Sequence, residues 1–238
     1  MNDQELINYW VEAGTPLGRA RRQLRQRGKR ALWFATVNST LILKRAIDVA
    51  ASALALLVLT PLFVATAIAI KLEDRGPIFF RQQRVGLRGR LFGMWKFRSM
   101  FINAEKLKDQ LVQQNEMQGG VTFKIKNDPR VTRVGRFIRK YSIDELPQFW
   151  NVLRGDMSLV GPRPPVPREV ALYSPEDRQR LLVVPGLTCF WQVGGRSSID
   201  FAGQVQLDVE YIRSSSVWLD VKLLVRTVPA VLFGKGAF

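Results

Sequence analysis

Two adjacent carboxylates, Asp144 and Glu145, follow Ser142-Ile143, with Arg139 five residues ahead of the pair and Arg163 downstream between Pro162 and Pro164. An ionised carboxylate can attack phosphorus and can hold a hard divalent cation through oxygen. Arginines placed nearby can neutralise phosphate oxygens, and the flanking prolines stiffen the backbone of Arg163. The 238 residues include no histidine and a single cysteine, Cys189, which excludes a histidine base, a Cys/His zinc site and an intramolecular disulfide. Any metal site must then be built from oxygen, which points to Mg²⁺ or Mn²⁺. Ser142 with Glu145 three residues on matches a capping box ahead of the apolar-periodic run Leu146, Phe149, Trp150, Val152 and Leu153. That arrangement would turn Glu145 back toward Ser142 and keep Asp144 ionised through the helix dipole and Arg139. On local pattern alone the acids are ordinary first-turn residues, and Pro147 fits the helix start only loosely. The surrounding arginines add the phosphate chemistry.

The elements that must position these residues are partly visible. Val134, Phe137, Ile138 and Tyr141 have the period of a half-buried helix, with Arg133, Arg136, Arg139 and Lys140 on its other sides. Several cations on one short helix suit a phosphate-rich ligand. Ile78 to Val85 predicts a short strand running into a turn at Gly86, and Phe92 to Phe97 a second strand. Ala104 to Met117 predicts an amphipathic helix. Val217 to Leu232 predicts a helix that either closes the core or lies at a membrane interface anchored by Trp218. Cys189 fits a small buried residue better than a reactive thiol.

Lys and Arg number 36 against 20 Asp and Glu, a formal charge of +16, while 47% of the chain is hydrophobic. The apolar content excludes a disordered polybasic tail, and the charge points to a polyanion: nucleic acid, an anionic membrane or a phosphorylated substrate. Val49 to Ile70 carries no charge and as a helix would reach roughly 33 Å, close to the hydrocarbon thickness of a bilayer. Nucleic acid explains the charge but not this run, and no nucleic-acid-binding motif is recognisable. Both flanks are basic, Lys44 and Arg45 before it, then Lys71, Arg75, Arg81, Arg84, Arg88 and Arg90. A helix kinked at Thr60-Pro61 that enters and leaves by one face keeps both flanks on the cytoplasmic side; a straight span is the alternative. The cluster Arg19, Arg21, Arg22, Arg25, Arg27, Lys29 and Arg30 is either a segment lying on an anionic leaflet or a solvated tail, and is not a signal peptide. The expected organisation is a basic segment 1–40, a re-entrant membrane helix 41–75 and a cytoplasmic domain 76–238.

Longer motifs stand in fixed order: Lys96-Phe97-Arg98-Ser99-Met100, Asp128-Pro129-Arg130, Ser142 to Gln148, Asn151 to Pro164 and Pro185-Gly186-Leu187-Thr188. Residues 41–238 thereby closely resemble the bacterial sugar transferases, monotopic phosphoglycosyl transferases that begin polysaccharide and glycoconjugate assembly. The resemblance implies transfer of a sugar 1-phosphate from a UDP-sugar to undecaprenyl phosphate, with Mg²⁺ and release of UMP, through a covalent Asp-phosphosugar intermediate. The catalytic dyad falls on Asp144 and Glu145, which would also hold the metal. Asp144 is the expected nucleophile, with Glu145 either a metal-site partner or a base for the acceptor phosphate. Lys96, Arg139 and Arg163 fall on basic positions assigned to substrate phosphates, and the re-entrant helix on the run around Pro61. Asp156 is either a metal support or a turn residue.

The implied fold is α+β, mainly helical: a membrane-associated catalytic domain with an N-terminal re-entrant, proline-kinked membrane helix and amphipathic interfacial helices. The implied place is the cytoplasmic face of the bacterial inner membrane, on anionic lipid, with homo-oligomers or other glycan assembly enzymes as further partners. Trp191-Gln192-Val193-Gly194-Gly195-Arg196 is similar to a signature tied to glucose or galactose phosphate transfer, with Gly194 in place of serine and Cys189 in place of glycine. Larger members carry spanning helices ahead of this domain, for which the first 40 residues are too short. The competing expectation is a catalytically inactive membrane scaffold of a polysaccharide assembly complex.

Overall fold

Alternating side chains on either side of Gly86 close into a hairpin of β1 (Phe79–Val85) and β2 (Leu91–Phe97), paired antiparallel from Phe79↔Phe97 to Val85↔Leu91. Both strands and the glycine turn match the sequence expectation. These elements come from a computed structural model that describes residues 16–102, 104, 128–195 and 199–232. The expected helix Ala104–Met117 falls outside the described residues beyond Ala104, as do residues 1–15, Arg196 and the side chains of the arginines between Arg19 and Arg30. The chain divides into two compact units, Met1–Arg45 and Ala46–Phe238, and the site lies in the second.

Helix α1 (Pro16–Val58) gives way at Leu59 to α2 (Thr60–Asp74), and the segments Ser39–Val58 and Thr60–Asp74 meet at a bend of 59°. Pro61 lies in the first turn of α2, where its missing N–H costs least. The Thr60 hydroxyl donates to the Leu56 carbonyl at 2.8 Å. No single described helix is long and apolar enough to cross a membrane, whereas this bent pair passes by length and composition. Leu54, Leu57, Val58, Leu62, Val64, Ile68 and Leu72 are exposed around the bend. α1 is tied to the core by Asp48, whose Oδ1 accepts the Leu159 N–H at 3.0 Å.

Beyond β2 come α3 (Arg133–Lys140), a 3₁₀ turn (Ile143–Glu145), α4 (Gln148–Arg154), β3 (Ser158–Val160), α5 (Pro167–Val170), a second 3₁₀ turn (Asp177–Leu182), β4 (Gly186–Thr188), α6 (Phe190–Gly194), α7 (Phe201–Ser214) and α8 (Val217–Leu232). The chain is therefore mainly helical, with two small sheets among the described residues. β3 and β4 pair parallel, Ser158↔Gly186 and Val160↔Thr188. One core gathers Phe92, Met94, Val152, Met157, Leu159, Val160, Tyr211 and Leu223 between hairpin, α4, β3, α7 and α8. A second, smaller cluster of Ile70, Phe97 and Ile138 joins α2 to β2 and α3. α8 packs Leu219, Leu223 and Leu224 against the first core and leaves Trp218, Val221, Val225 and Val228 exposed. Closing the core and presenting an apolar stripe are thus jobs of opposite faces.

A buried ion pair closes the C-terminal half: Arg180 and Asp208 meet at 2.6 Å, and Arg180 also donates to the Tyr173 hydroxyl at 3.2 Å. Removing one partner strands the other charge in the core, whereas replacing both with apolar groups removes the desolvation cost as well. Asp208→Ala should cost about 3 kcal/mol or more, and the double change Asp208→Leu with Arg180→Met should recover most of it. Thermal unfolding of the wild type and the two variants in detergent checks this, and equal losses for single and double changes would contradict it.

Candidate active site

Phe92, Met94 and Lys96 share one face of β2, because side chains alternate along a strand. The first two are core residues; the third reaches the core's edge, where Lys96 Nζ meets Glu145 Oε1 at 2.8 Å. Asn151 holds the strand in this register from α4. Its Oδ1 accepts the Trp95 N–H at 2.9 Å and its Nδ2 donates to the Gly93 carbonyl at 2.9 Å, so a helix side chain stands in for a neighbouring strand.

The second cation arrives on the Gly161 to Pro165 loop. Gly161 N–H donates to Thr188 O and Gly186 N–H to Pro162 O, at 3.0 and 2.9 Å. The two backbones approach so closely that a Cβ on Gly186 would lie 2.0 Å from the Gly161 nitrogen. From the other side Arg84 Nη1 donates to the Pro164 carbonyl at 2.8 Å, and Val85 N–H to Pro165 O at 2.9 Å. Burial and the neighbouring Arg163 lower the Arg84 pKa to about 10, which leaves it charged at neutral pH. So clamped, Arg163 Nη2 reaches the same Glu145 Oε1 at 3.2 Å.

The acids sit on a turn set up by α3. Thr132 Oγ1 caps that helix by accepting the Gly135 N–H at 2.8 Å, and Tyr141 ends it. Ser142 then takes a left-handed conformation, φ 54°, and the chain turns through Ile143–Glu145 before α4 begins at Gln148. The expected capping box is therefore not formed. Ser142 makes no side-chain cap, and Glu145 points to two cations instead of back along the chain. Charge-assisted bonds to Lys96 and Arg163 outweigh one neutral cap.

Burial acts differently on the two acids. It works to raise both, but at Glu145 the Lys96 and Arg163 charges and hydrogen bonds outweigh it and hold the carboxyl far below its ordinary range. Asp144 is 8% exposed, its carboxylate has no hydrogen-bond partner among the described residues, and burial pushes it up to about 6. Lys96, Arg139 and Arg163 pull it down while Glu145 pushes it up. Of the expected influences on Asp144, Arg139 does pull it down, but Asp144 lies a turn before α4 and desolvation is the largest effect on it. Asp156 belongs to the turn, 3.3 Å from Asn151 Nδ2 and 3.8 Å from Arg154. No described cluster of three or more His, Cys, Asp or Glu exists. Asp144 and Glu145 alone suit an ion bound by one or two carboxylates with substrate phosphates and water completing its shell, as Mg²⁺ commonly is. Cys189 is buried, with its thiol 3.1 Å from Gln192 Oε1 and its pKa raised by burial.

Arg84 and Asn151 were not singled out from the sequence as site residues. Period-two reading of β1 puts Arg84 opposite Phe92 on the inward face, which is a usable signal; nothing local marks Asn151.

A family model described as bacterial sugar transferase matches residues 39–234. The galactosyl transferase CpsE of Streptococcus agalactiae is 47% identical over 84% of this chain and 44% of its own length. The undecaprenyl-phosphate glucose phosphotransferase of Komagataeibacter xylinus is 45% identical over 82% of this chain and 37% of its own. The exopolysaccharide production protein ExoY of Sinorhizobium fredii is 39% identical, covering 83% of this chain and 88% of its own. The chain thus spans less than half the length of the first two and most of the third.

The unequal burial costs of the acids have a measurable consequence. Asp144→Asn removes a desolvated charge and should raise Tm by roughly 2–4 °C at pH 8. That gain should shrink as pH falls below about 6 and vanish only below about 3.8, the ordinary value of the unfolded chain, because between the two folding still requires the carboxyl to take up a proton. Glu145→Gln should lower Tm, since Lys96 and Arg163 then face a neutral amide. A destabilised Asp144→Asn protein at pH 8 would contradict the burial argument.

Proposed function

The chain belongs to the bacterial sugar transferase family, and from that premise we propose that it transfers a sugar 1-phosphate from a UDP-sugar to undecaprenyl phosphate, releasing UMP. One observation carries the reading. Glu145 gives Oε1 to both Lys96 and Arg163, while Asp144 beside it is buried and forms no ion pair among the described residues. An unpaired, desolvated carboxylate is a nucleophile. An Asp144 oxygen bonds to the sugar-bearing phosphorus as the bond from that phosphorus to the UMP oxygen breaks, leaving an acyl phosphate that carries the sugar on the enzyme. An oxygen of undecaprenyl phosphate then attacks the same phosphorus and frees the Asp144 carboxylate, so the enzyme is regenerated.

Lys96, Arg139 and Arg163 carry positive charge around the reacting phosphates, where charge gathers in the transition state. Glu145 keeps Lys96 and Arg163 aligned. When bound, Mg²⁺ held by Asp144, Glu145 and the donor phosphates supplies further charge neutralisation. Two of the relatives are named for galactose and glucose, so UDP-galactose and UDP-glucose are the donors of first choice. The bent pair α1–α2, with its exposed apolar residues, is taken to enter and leave the bilayer by the cytoplasmic face of the bacterial membrane. The exposed stripe of α8 is taken to lie at the interface.

Enzyme with the correct UDP-sugar and Mg²⁺, but no lipid, should release about one equivalent of UMP per site and add one hexose phosphate to the peptide containing Asp144. Asp144→Asn and excess EDTA should each abolish both. UMP that appears only when undecaprenyl phosphate is present, with no adduct after quenching, would demote Asp144 to a ligand and favour direct transfer. For topology, cysteines at Glu5 and Gln118 should be equally shielded from a membrane-impermeant thiol reagent in intact cells. Labelling at Glu5→Cys alone would establish a straight span. Background from Cys189 is low because it is buried.

A further inference from the structure

The last two residues of α2 send their carboxylates to the two elements that carry the site. Glu73 Oε1 accepts the backbone N–H of Arg133 at 2.7 Å and of Val134 at 3.2 Å, and Oε2 accepts Val134 at 3.2 Å. With Thr132 taking the Gly135 N–H, the first three donors of α3 are satisfied, two of them by a helix 60 residues earlier in the chain. Asp74 pairs with Arg98, which directly follows β2. Gly76 makes room for that pair, since a Cβ there would fall on the Arg98 guanidinium. Beneath these contacts Phe63 and Ile70 of α2 pack with Phe97, Val134, Ile138 and Ile143. Phe97 adjoins Lys96 in sequence, and Ile143 adjoins Asp144.

We infer that Glu73 is a positioning residue for the reaction: by capping α3 from the end of the bent helix pair, it sets the direction of α3 and hence the placement of the Asp144-Glu145 turn. The lever is short and stiff. Eight helical residues span about 12 Å, so a tilt of about 5° at the capped end displaces the far end by about 1 Å. A 1 Å misplacement of reacting groups can cost on the order of 10²-fold in rate. The far end of α3 runs through Tyr141 and the left-handed Ser142 directly into the acids, with no intervening loop to absorb the tilt. Asp74 performs the same task for the strand that carries Lys96. Site geometry is thereby tied to the seating of α2, the element that the proposed function places in the membrane. The catalytic half of this inference rests on Asp144 and Glu145 being the reacting groups.

The test uses the full chain in nanodiscs. Glu73→Ala should raise hydrogen exchange at residues 133–135 and also at 142–146. It should lower kcat by about tenfold or more while the KM for the UDP-sugar changes less than about twofold. Glu73→Gln, which keeps an acceptor oxygen at the same reach, should restore most of the rate and protection. The inference is overturned if increased exchange stops at 133–135, if Gln does not rescue, or if activity falls only in proportion to the unfolded fraction in a melting curve. Exchange is measured without substrate. A wild-type protein that releases no UMP from any donor would therefore sink the proposed function and leave the exchange comparison readable.

Discussion

Lys96 and Arg163 converge on a single oxygen of Glu145, at 2.8 and 3.2 Å, and much of the domain serves to bring them there. Neither cation arrives by local structure. Lys96 depends on the strand register that Asn151 enforces, and Arg163 on a loop pinned between Arg84 and the Gly161–Gly186 contact. Holding two like charges together in a half-buried place is unfavourable, and Glu145 is the counter-charge that makes it tolerable. Its cost falls on Lys96, whose pKa is lowered by burial and by Arg163 against the pull of Glu145. Breaking such a triad by removing its centre costs more than the contacts suggest, because two charges lose their partner at once.

The same arrangement explains why neighbouring acids differ. Glu145 takes the hydrogen bonds, so Asp144 keeps the desolvation without that compensation. A carboxyl titrating near 6 is about nine-tenths ionised at neutral pH, so burial raises its basicity without removing its charge. If Asp144 reacts as proposed, stability and reactivity pull in opposite directions at this residue, the usual relation where a group is kept for chemistry.

Local patterns in the sequence identified local structure well. The two strands, helix Arg133–Lys140 and helix Val217–Leu232 all stand where periodicity puts them. Pro61 marked the bend, although the chain breaks into two helices there instead of kinking within one. Gathering Lys96, Arg163 and the acids was legible only through family resemblance, because the contacts that set the geometry span long separations: 80 residues for Arg84 to Pro164, 56 for Asn151 to Trp95 and 60 for Glu73 to Arg133. The capping-box misreading has the same origin. A four-residue pattern matched correctly in isolation, and two cations from distant segments claimed the glutamate that would have completed it.

The two departures from the signature motif can be weighed by what the fold requires at each position. Gly194 replaces the serine of the signature it resembles, but its φ is not positive and a Cβ built there meets nothing within 4 Å. Serine would therefore fit without displacing anything, and glycine there is not a requirement of the backbone. Cys189 replaces glycine, yet it holds an extended conformation, φ −151°, that any residue adopts, and it is buried with its thiol against Gln192. Both departures are therefore silent in the fold. Neither reshapes the turn that carries Asp144, whose placement is set by α3, β2 and the Gly161–Pro165 loop. The arrangement of Lys96, Arg163 and Glu145 therefore does not depend on either substitution.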